Sequence, residues 1–366
     1  MSSAERLGSF GNPYGPKPVH RVPVAPPVGI VIANYNNADF VKDAMASAAR
    51  QTVRDIQVVV VDDASTDDSD AIIRRYLTDL GDERFRYIQL ASNLGQTGAI
   101  RRGLAELDTP LVCFLDADDI LHEEFVARHV AAHMNADFPV ALTFCDSHIV
   151  DVSGHLAAGT AWWFDYSYEP RDRPIDPSHI PTIEPKTGKL TYPSNKSTTL
   201  LGQWSIDAAT NSMTGMMIRR SFVDLVLTPS DDDLRFGLDF YLSTFAWLLT
   251  GVIAIHEPLY DYRMHGRNQY SNGAILGGTY NSSTRSWKPI RDSVLQLIET
   301  VLRQKAGTLR AAFGDFHYSQ AEATLQKALH PESSISLKRL LAAVGDRVSR
   351  LAGSRMPKDP SDRSGG

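Results

Sequence analysis

The sequence predicts an α/β domain built on a mostly parallel sheet. Three observations carry that prediction: four short runs that are apolar throughout, helical stretches between them, and polar or acidic residues directly after each run. Strands buried on both faces read as continuous apolar runs, and parallel neighbours need helical crossovers, which are right-handed. The first strand is "VGIVIA" (28–33), followed by a helix over 38–51 that Asn36 or Asn37 can cap. "IQVVVV" (56–61) is the second strand, and a helix follows over 67–80 with Ser65 and Asp68 as its capping box. "FRYIQL" (85–90) is the third strand, 96–107 the third helix and "PLVCFL" (110–115) the fourth strand.

Composition narrows the function classes. The chain has 366 residues, 43% hydrophobic and 22% charged, which is ordinary for a globular protein. A net charge of −6 gives no reason to expect nucleic acid, which demands a basic face. Residues 1–27 hold six prolines and no apolar core of a signal peptide, so they read as a disordered tail. The longest strongly apolar stretch, "FAWLLTGVIAI", has 11 residues and is too short to span a bilayer. Cys113 and Cys145 both sit in apolar runs and read as buried thiols, which fits a reducing cytoplasm.

In such a sheet, ligands bind beyond the carboxyl ends of the strands. The residues there are Asn34, Tyr35 and Asn36; Asp62 and Asp63; Asn93 and Gly95; and Asp116, Asp118 and Asp119. No glycine-rich phosphate loop occurs among them. Residues i and i+2 of an extended segment share a side, so Asp116 and Asp118 are expected to project together. Two carboxylates with a substrate phosphate suit Mg²⁺ or Mn²⁺. A solvated acidic turn is the plain alternative for that motif alone.

Read together, "VIANYNN", "VVVVDDASTDDS", "NLGQTGAIRRGL" and "CFLDADDIL" resemble the nucleotide-sugar half of family 2 glycosyltransferases, in order and spacing. The resemblance implies the GT-A fold: a Rossmann-like, mostly parallel sheet flanked by helices, here with a long acceptor-side insertion and a C-terminal helical appendage. It also implies an inverting enzyme that moves a sugar from a nucleoside-diphosphate sugar, UDP-linked by expectation, to the hydroxyl of a carbohydrate or lipid-linked acceptor. By position, Asp63 would bond the nucleobase, with Ala33, Tyr35 and Asn93 bordering its pocket. Asp116 would approach the ribose or lie near the metal. Asp118 would hold the Mg²⁺ or Mn²⁺ that bridges the diphosphate. Arg101 would help neutralise phosphate, with a solvated helix face as its alternative. Ala64 stands where the family often has Gly, and Ala33 where Pro is frequent.

Inversion needs a general base beside the incoming hydroxyl. The family supplies it as the Asp of a Glu-Asp pair opening a helix that precedes a Tyr-Arg-x-His segment. "RFGLDF" and "YRMH" (262–265) match that layout, with Asp239 as the base and Leu238 replacing the Glu. That replacement keeps a non-catalytic nucleotide-sugar-binding subunit of a synthase open; a nucleotidyltransferase is a more distant alternative. His265 would complete the metal or diphosphate shell. Gly215, in a loop read from "SMTGMMIRR", would let the backbone approach the donor sugar.

The domains expected are a glycosyltransferase unit over 28–285, divided into a nucleotide half (28–120) and an acceptor half (121–285). An insertion over 151–211 is rich in aromatics, which either bind acceptor or form a local core. A helical region covers 286–352 and a disordered tail 353–366. The stripe Leu337, Leu340, Leu341, Val344, Val348, Leu351 with basic flanks either packs on the catalytic domain, the reading favoured here, or rests peripherally on the inner face of a membrane. Product class, a surface polysaccharide or glycoconjugate, follows from the resemblance alone.

Overall fold

A computed structural model describes residues 25–136, 140–159, 182–183, 190–191, 198–206, 212–228, 230, 234–268 and 288–330. Its strands are β1 (Val28–Asn34), β2 (Ile56–Asp62), β3 (Phe85–Gln89), β4 (Leu111–Asp116), β5 (Ile120–Leu121), β6 (Leu142–Val150), β7 (Leu156–Ala158), β8 (Thr182–Ile183), β9 (Leu190–Thr191), β10 (Thr198–Leu201), β11 (Met216–Arg219) and β12 (Val252–Arg263). Its helices are α1 (Val41–Ala49), α2 (Ser69–Leu80), α3 (Gly95–Ala105), α4 (Phe125–Asn135), α5 (Arg220–Val226), α6 (Leu238–Leu249), α7 (Lys288–Gln304), α8 (Ala306–Phe313) and α9 (Asp315–Leu329).

The main sheet runs β10-β12-β6-β11-β4-β1-β2-β3, with β5 joined to β12 and β7 to β6. The four strands read from sequence are parallel neighbours in the order β4-β1-β2-β3. Antiparallel β11 then separates β4 from β6. Alternate side chains of each central strand enter opposite cores. Val31, Val59, Val61, Val112 and Phe114 meet α3, α5, α6 and the C-terminal helices, whereas Ile30, Ile32, Val58, Val60, Cys113 and Leu115 meet α1, α2 and α4. Continuous apolar runs are therefore the right composition for a sheet with two covered faces. β3 departs from that expectation: as the edge strand, it is half exposed.

The C-terminal helices α7–α9 share the core of α6 rather than forming one of their own, through Val294, Ile298, Leu302, Tyr318 and Leu325. Lys305 on the α7–α8 junction donates to the carbonyls of Leu225 and Leu227, which α5 leaves free at its end. Both cysteines are free and buried, as expected. Among the described residues, no helix is long and apolar enough to cross a membrane.

Three local expectations need correction. Asn36 does not cap α1; its Oδ1 accepts the Thr66 amide at 2.7 Å, and the first turn is closed by the Asn37 carbonyl. Ser65 and Asp68 form no capping box. Ser65 Oγ donates to Asp62 Oδ1 instead, and the start of α2 is satisfied by Asp67, whose Oδ1 accepts Ser69 N at 3.1 Å. "SMTGMMIRR" is not a loop: a 3₁₀ turn over Met213–Gly215 leads straight into β11. Trp204 of the expected insertion lies edge-on to Phe316 of α9 and packs on the main core. The insertion's other aromatics, residues 1–24 of the first tail, the tail over 353–366 and the 337–351 stripe lie outside the described residues.

Candidate active site

β1 is the turning point of strand order, flanked by β2 on one side and β4 on the other, and in such sheets ligands bind in a crevice beyond the carboxyl ends of these strands. On the β2 side, Asp62 is fully buried and accepts Asn34 Nδ2 at 2.8 Å. Asp63 is also buried and accepts two amides, Leu94 N at 2.7 Å and Gly95 N at 2.8 Å. Burial pushes its carboxyl up, and those amides pull it part of the way back. Asp63 thus shapes the loop that precedes α3 while keeping lone pairs for a ligand. Asn93 lies beside it: its Nδ2 donates to the Asp63 carbonyl, and its Oδ1 accepts Arg235 Nη2 at 3.0 Å. Ala33 is the register partner of Asp116, and Tyr35 just beyond it is 47% exposed.

On the β4 side, the aspartates do not continue the strand. A turn closes from Asp119 N to Asp116 O at 3.0 Å, so Asp116 and Asp118 approach through the turn rather than through an extended face. Asp116 Oδ1 accepts Gln96 Nε2 at 2.9 Å. Burial, together with the charges of Asp118 and Asp239, pushes its carboxyl up to about 7. The Asp239 carboxylate, in the first turn of α6, is therefore close enough to be felt at Asp116. Burial raises Asp239 as well, against the amide of Phe240, which donates to its Oδ1 at 2.8 Å. Leu238, in the place of the family's Glu, is fully buried in the core.

Asp118 meets a group from 147 positions away: His265 Nε2 lies 2.9 Å from its Oδ2. The imidazole is held rather than free on the surface. It stacks on Phe40 with ring centroids 4.7 Å apart, its own amide donates to Asn268 Oδ1, and its side chain is 3% exposed. The arginines of the same segment face elsewhere, Arg263 to Asp43 at 3.0 Å and Arg267 to Asp39 at 2.7 Å. Clustered carboxylates, one of them against an imidazole, with these arginines committed to other acids, fit a divalent cation.

Sequence reasoning missed the groups that hold this arrangement. Asp119 is buried; its Oδ2 accepts the Thr214 hydroxyl at 2.7 Å, and its Oδ1 accepts Arg263 N at 3.1 Å. Thr214 Oγ1 in turn accepts the Asp116 amide at 3.1 Å, which sets Gly215 next to the acidic turn. Three aspartates in four residues were legible as a site, but which of them is structural was not. Arg101 is placed differently from the rest: its guanidinium donates to Thr228 Oγ1 and the Ser230 carbonyl, each at 3.3 Å. The sequence reading also passed over His122, His148 and Asp261, whose ligand atoms converge within 4.8 Å and could hold a metal ion.

Comparison with known proteins agrees with the fold. An uncharacterised glycosyltransferase of Nostoc sp. is 27% identical over 247 residues, covering 68% of this chain and 67% of that protein. The succinoglycan biosynthesis protein ExoO of Rhizobium meliloti is 32% identical over 129 residues, 35% of either chain. Its match, like those to several other relatives, spans well under half of the relative's length. Among solved structures, S. aureus TarS 1-349 in complex with UDP-GlcNAc superposes with a TM-score of 0.50 at 16% identity, covering 84% of this chain and 73% of TarS. The model of "Glycosyl transferase family 2" matches residues 29–224, more than half of the 366. On that match the chain belongs to glycosyl transferase family 2, a GT-A glycosyltransferase acting on a nucleotide-sugar donor.

Proposed function

We propose a metal-dependent, inverting transfer of a sugar from a UDP-linked donor to an acceptor hydroxyl of a surface polysaccharide or glycoconjugate. The observation that carries it is the meeting of Asp118 with His265 at 2.9 Å, beside an Asp116 that feels Asp239. In this reading, Ala33 and Tyr35 border the base, Asp63 and Asn93 contact it, and Asp116 faces the ribose. Gly215 lets the 3₁₀ turn approach the donor sugar. Arg101, committed to the Thr228–Ser230 turn, shapes the pocket rather than binding phosphate. The UDP-GlcNAc of TarS favours uridine, and the succinoglycan relative favours a polysaccharide product.

Asp118 and His265 would hold the Mg²⁺ or Mn²⁺, which when bound offsets the charge gathering on the departing diphosphate. Asp239 Oδ1 is engaged by the Phe240 amide, which leaves Oδ2 to take the acceptor proton. As that proton moves, the acceptor oxygen bonds to the anomeric carbon. The bond to the diphosphate breaks on the opposite face, its electron pair leaves with the diphosphate, and the configuration inverts.

Calorimetric titration of wild type and Asp118→Ala with UDP, GDP and dTDP, with and without Mn²⁺, tests the reading. Metal-dependent binding of UDP that disappears in the variant is the expected result. Folded protein that binds no nucleotide under any of these conditions would remove the donor site.

A further inference from the structure

We infer that His122, His148 and Asp261 form a second metal site, for a borderline transition ion of the Zn²⁺ class, independent of the pair at Asp118 and His265. Three strands build it. Asp261 of β12 is the register partner of His148 on β6 and of Ile120 on β5, and His122 follows β5 directly. The backbone at His122 is fixed as well, its amide donating to the Leu259 carbonyl at 2.9 Å. Rigid placement of this kind is what a metal centre needs and what a chance surface cluster lacks.

The geometry is that of ligands drawn together. A single oxygen, Asp261 Oδ1, lies 2.7 Å from His122 Nε2 and 3.1 Å from His148 Nδ1. A tetrahedral Zn²⁺ with bonds of about 2.0–2.1 Å sets its ligand atoms roughly 3.3 Å apart. The ion would therefore take the place of the two hydrogen bonds, with the imidazole nitrogens, already within 4.8 Å of each other, drawn in around it. Burial works against charge on Asp261, but the two imidazoles outweigh it and hold the carboxyl well below the ordinary range. The ligand is thus anionic without a proton to displace. All three side chains are between 16% and 29% exposed, so water can reach a fourth position.

The donor set selects the class of ion. Two imidazoles and one carboxylate suit Zn²⁺, Co²⁺ or Ni²⁺, whereas Mg²⁺ prefers oxygen ligands and keeps its waters. The site also has a natural consequence for the rim. The β6–β12 ladder shifts register on either side of Pro258, and Asp261 is where pairing resumes before Arg263 reaches Asp119 and His265 reaches Asp118. An ion joining β5, β6 and β12 at that point fixes the path of the strand that carries both contacts. It takes no part in sugar transfer.

The test uses tag-free full-length protein stripped by chelator and titrated with Co²⁺ and Zn²⁺ in the absence of nucleotide. The expected result is one equivalent of Co²⁺ with tetrahedral d–d absorption, displaced by Zn²⁺, and a raised thermal midpoint. His148→Gln and Asp261→Asn should weaken binding by more than roughly 100-fold, beyond what loss of an outer-shell partner typically costs. Asp118→Ala should bind the ion as wild type does, which separates this site from the donor metal. His122→Gln, at the most exposed of the three ligands, serves if either of the other two variants fails to fold. Folded wild type that takes up no Co²⁺ or Zn²⁺ would overturn the proposal. So would uptake that survives the His and Asp261 changes and disappears in Asp118→Ala.

Discussion

At the scale of single residues, the rim acids differ in how fully the fold engages them. Asp119 has both oxygens engaged by Thr214 and Arg263, whereas the Phe240 amide engages one oxygen of Asp239, the base proposed above. Asp239→Asn keeps the size and loses the base, so turnover should drop by about 10²–10⁴-fold while calorimetric UDP affinity stays within a few-fold. Equal loss of nucleotide binding would instead make Asp239 part of the donor site. Ala64 shows why a family preference can be a backbone requirement. Its φ is +58°, in the left-handed region that costs an L-residue roughly 1–2 kcal/mol, so the Gly that the resemblance leads one to expect there would answer to geometry.

Elements place those residues through close packing. α3 lies so near the sheet that a Cβ on Gly103 would stand 2.5 Å from Val31 Cγ1 and 3.2 Å from Val61 Cγ2. Those methyls are short, branched and buried, so they cannot swing away. Gly103→Ala should destabilise the fold by about 1–3 kcal/mol in denaturant melts, and an unchanged midpoint would show that α3 can shift outward. The same elements show what a sequence can disclose. Apolar runs and helical stretches located β1–β4 and the helices between them, because each signal is local and periodic. The acidic turn at Asp116–Asp119 was legible from its place after β4, but the Asp239 and His265 candidates were legible only through a resemblance, since no local pattern says that positions 118 and 265 meet. β11 was hidden for a physical reason: "MMIR" is short, and its burial comes from two neighbouring strands that chain order does not announce. Thr214 and the His122–His148–Asp261 group were hidden in the same way, being made by packing between distant segments.

At the scale of the whole molecule, the pH response is a competition between buried groups. Burial and the charges of Asp118 and Asp239 push Asp116 up to about 7 in the folded chain, against an ordinary value of about 4 unfolded, so the folded state holds an extra proton between those limits. Its contribution to stability is complete below about 4, falls as pH rises towards 7 and is level above that. Asp119 and Asp239 act in the same direction. His129 and His133 act oppositely: burial lowers both, so their contribution grows as pH climbs towards 6.5. A cation held by Asp118 and His265, as proposed, would disfavour the proton on neighbouring Asp116. Affinity for Mn²⁺ with UDP should therefore rise by up to about tenfold per pH unit below 7 and then level. Titrations in buffers of different ionisation enthalpy would show the released proton, and a flat profile from pH 5 to 8 would place the ion away from Asp116. The Asp119 carboxylate has a wider consequence. By gripping the turn before β11 and the end of β12 from its seat after β4, it works like a rivet through three plies. Plies riveted at one point do not slide past one another, so the acids after β4 keep their place against the start of β11 and the end of β12.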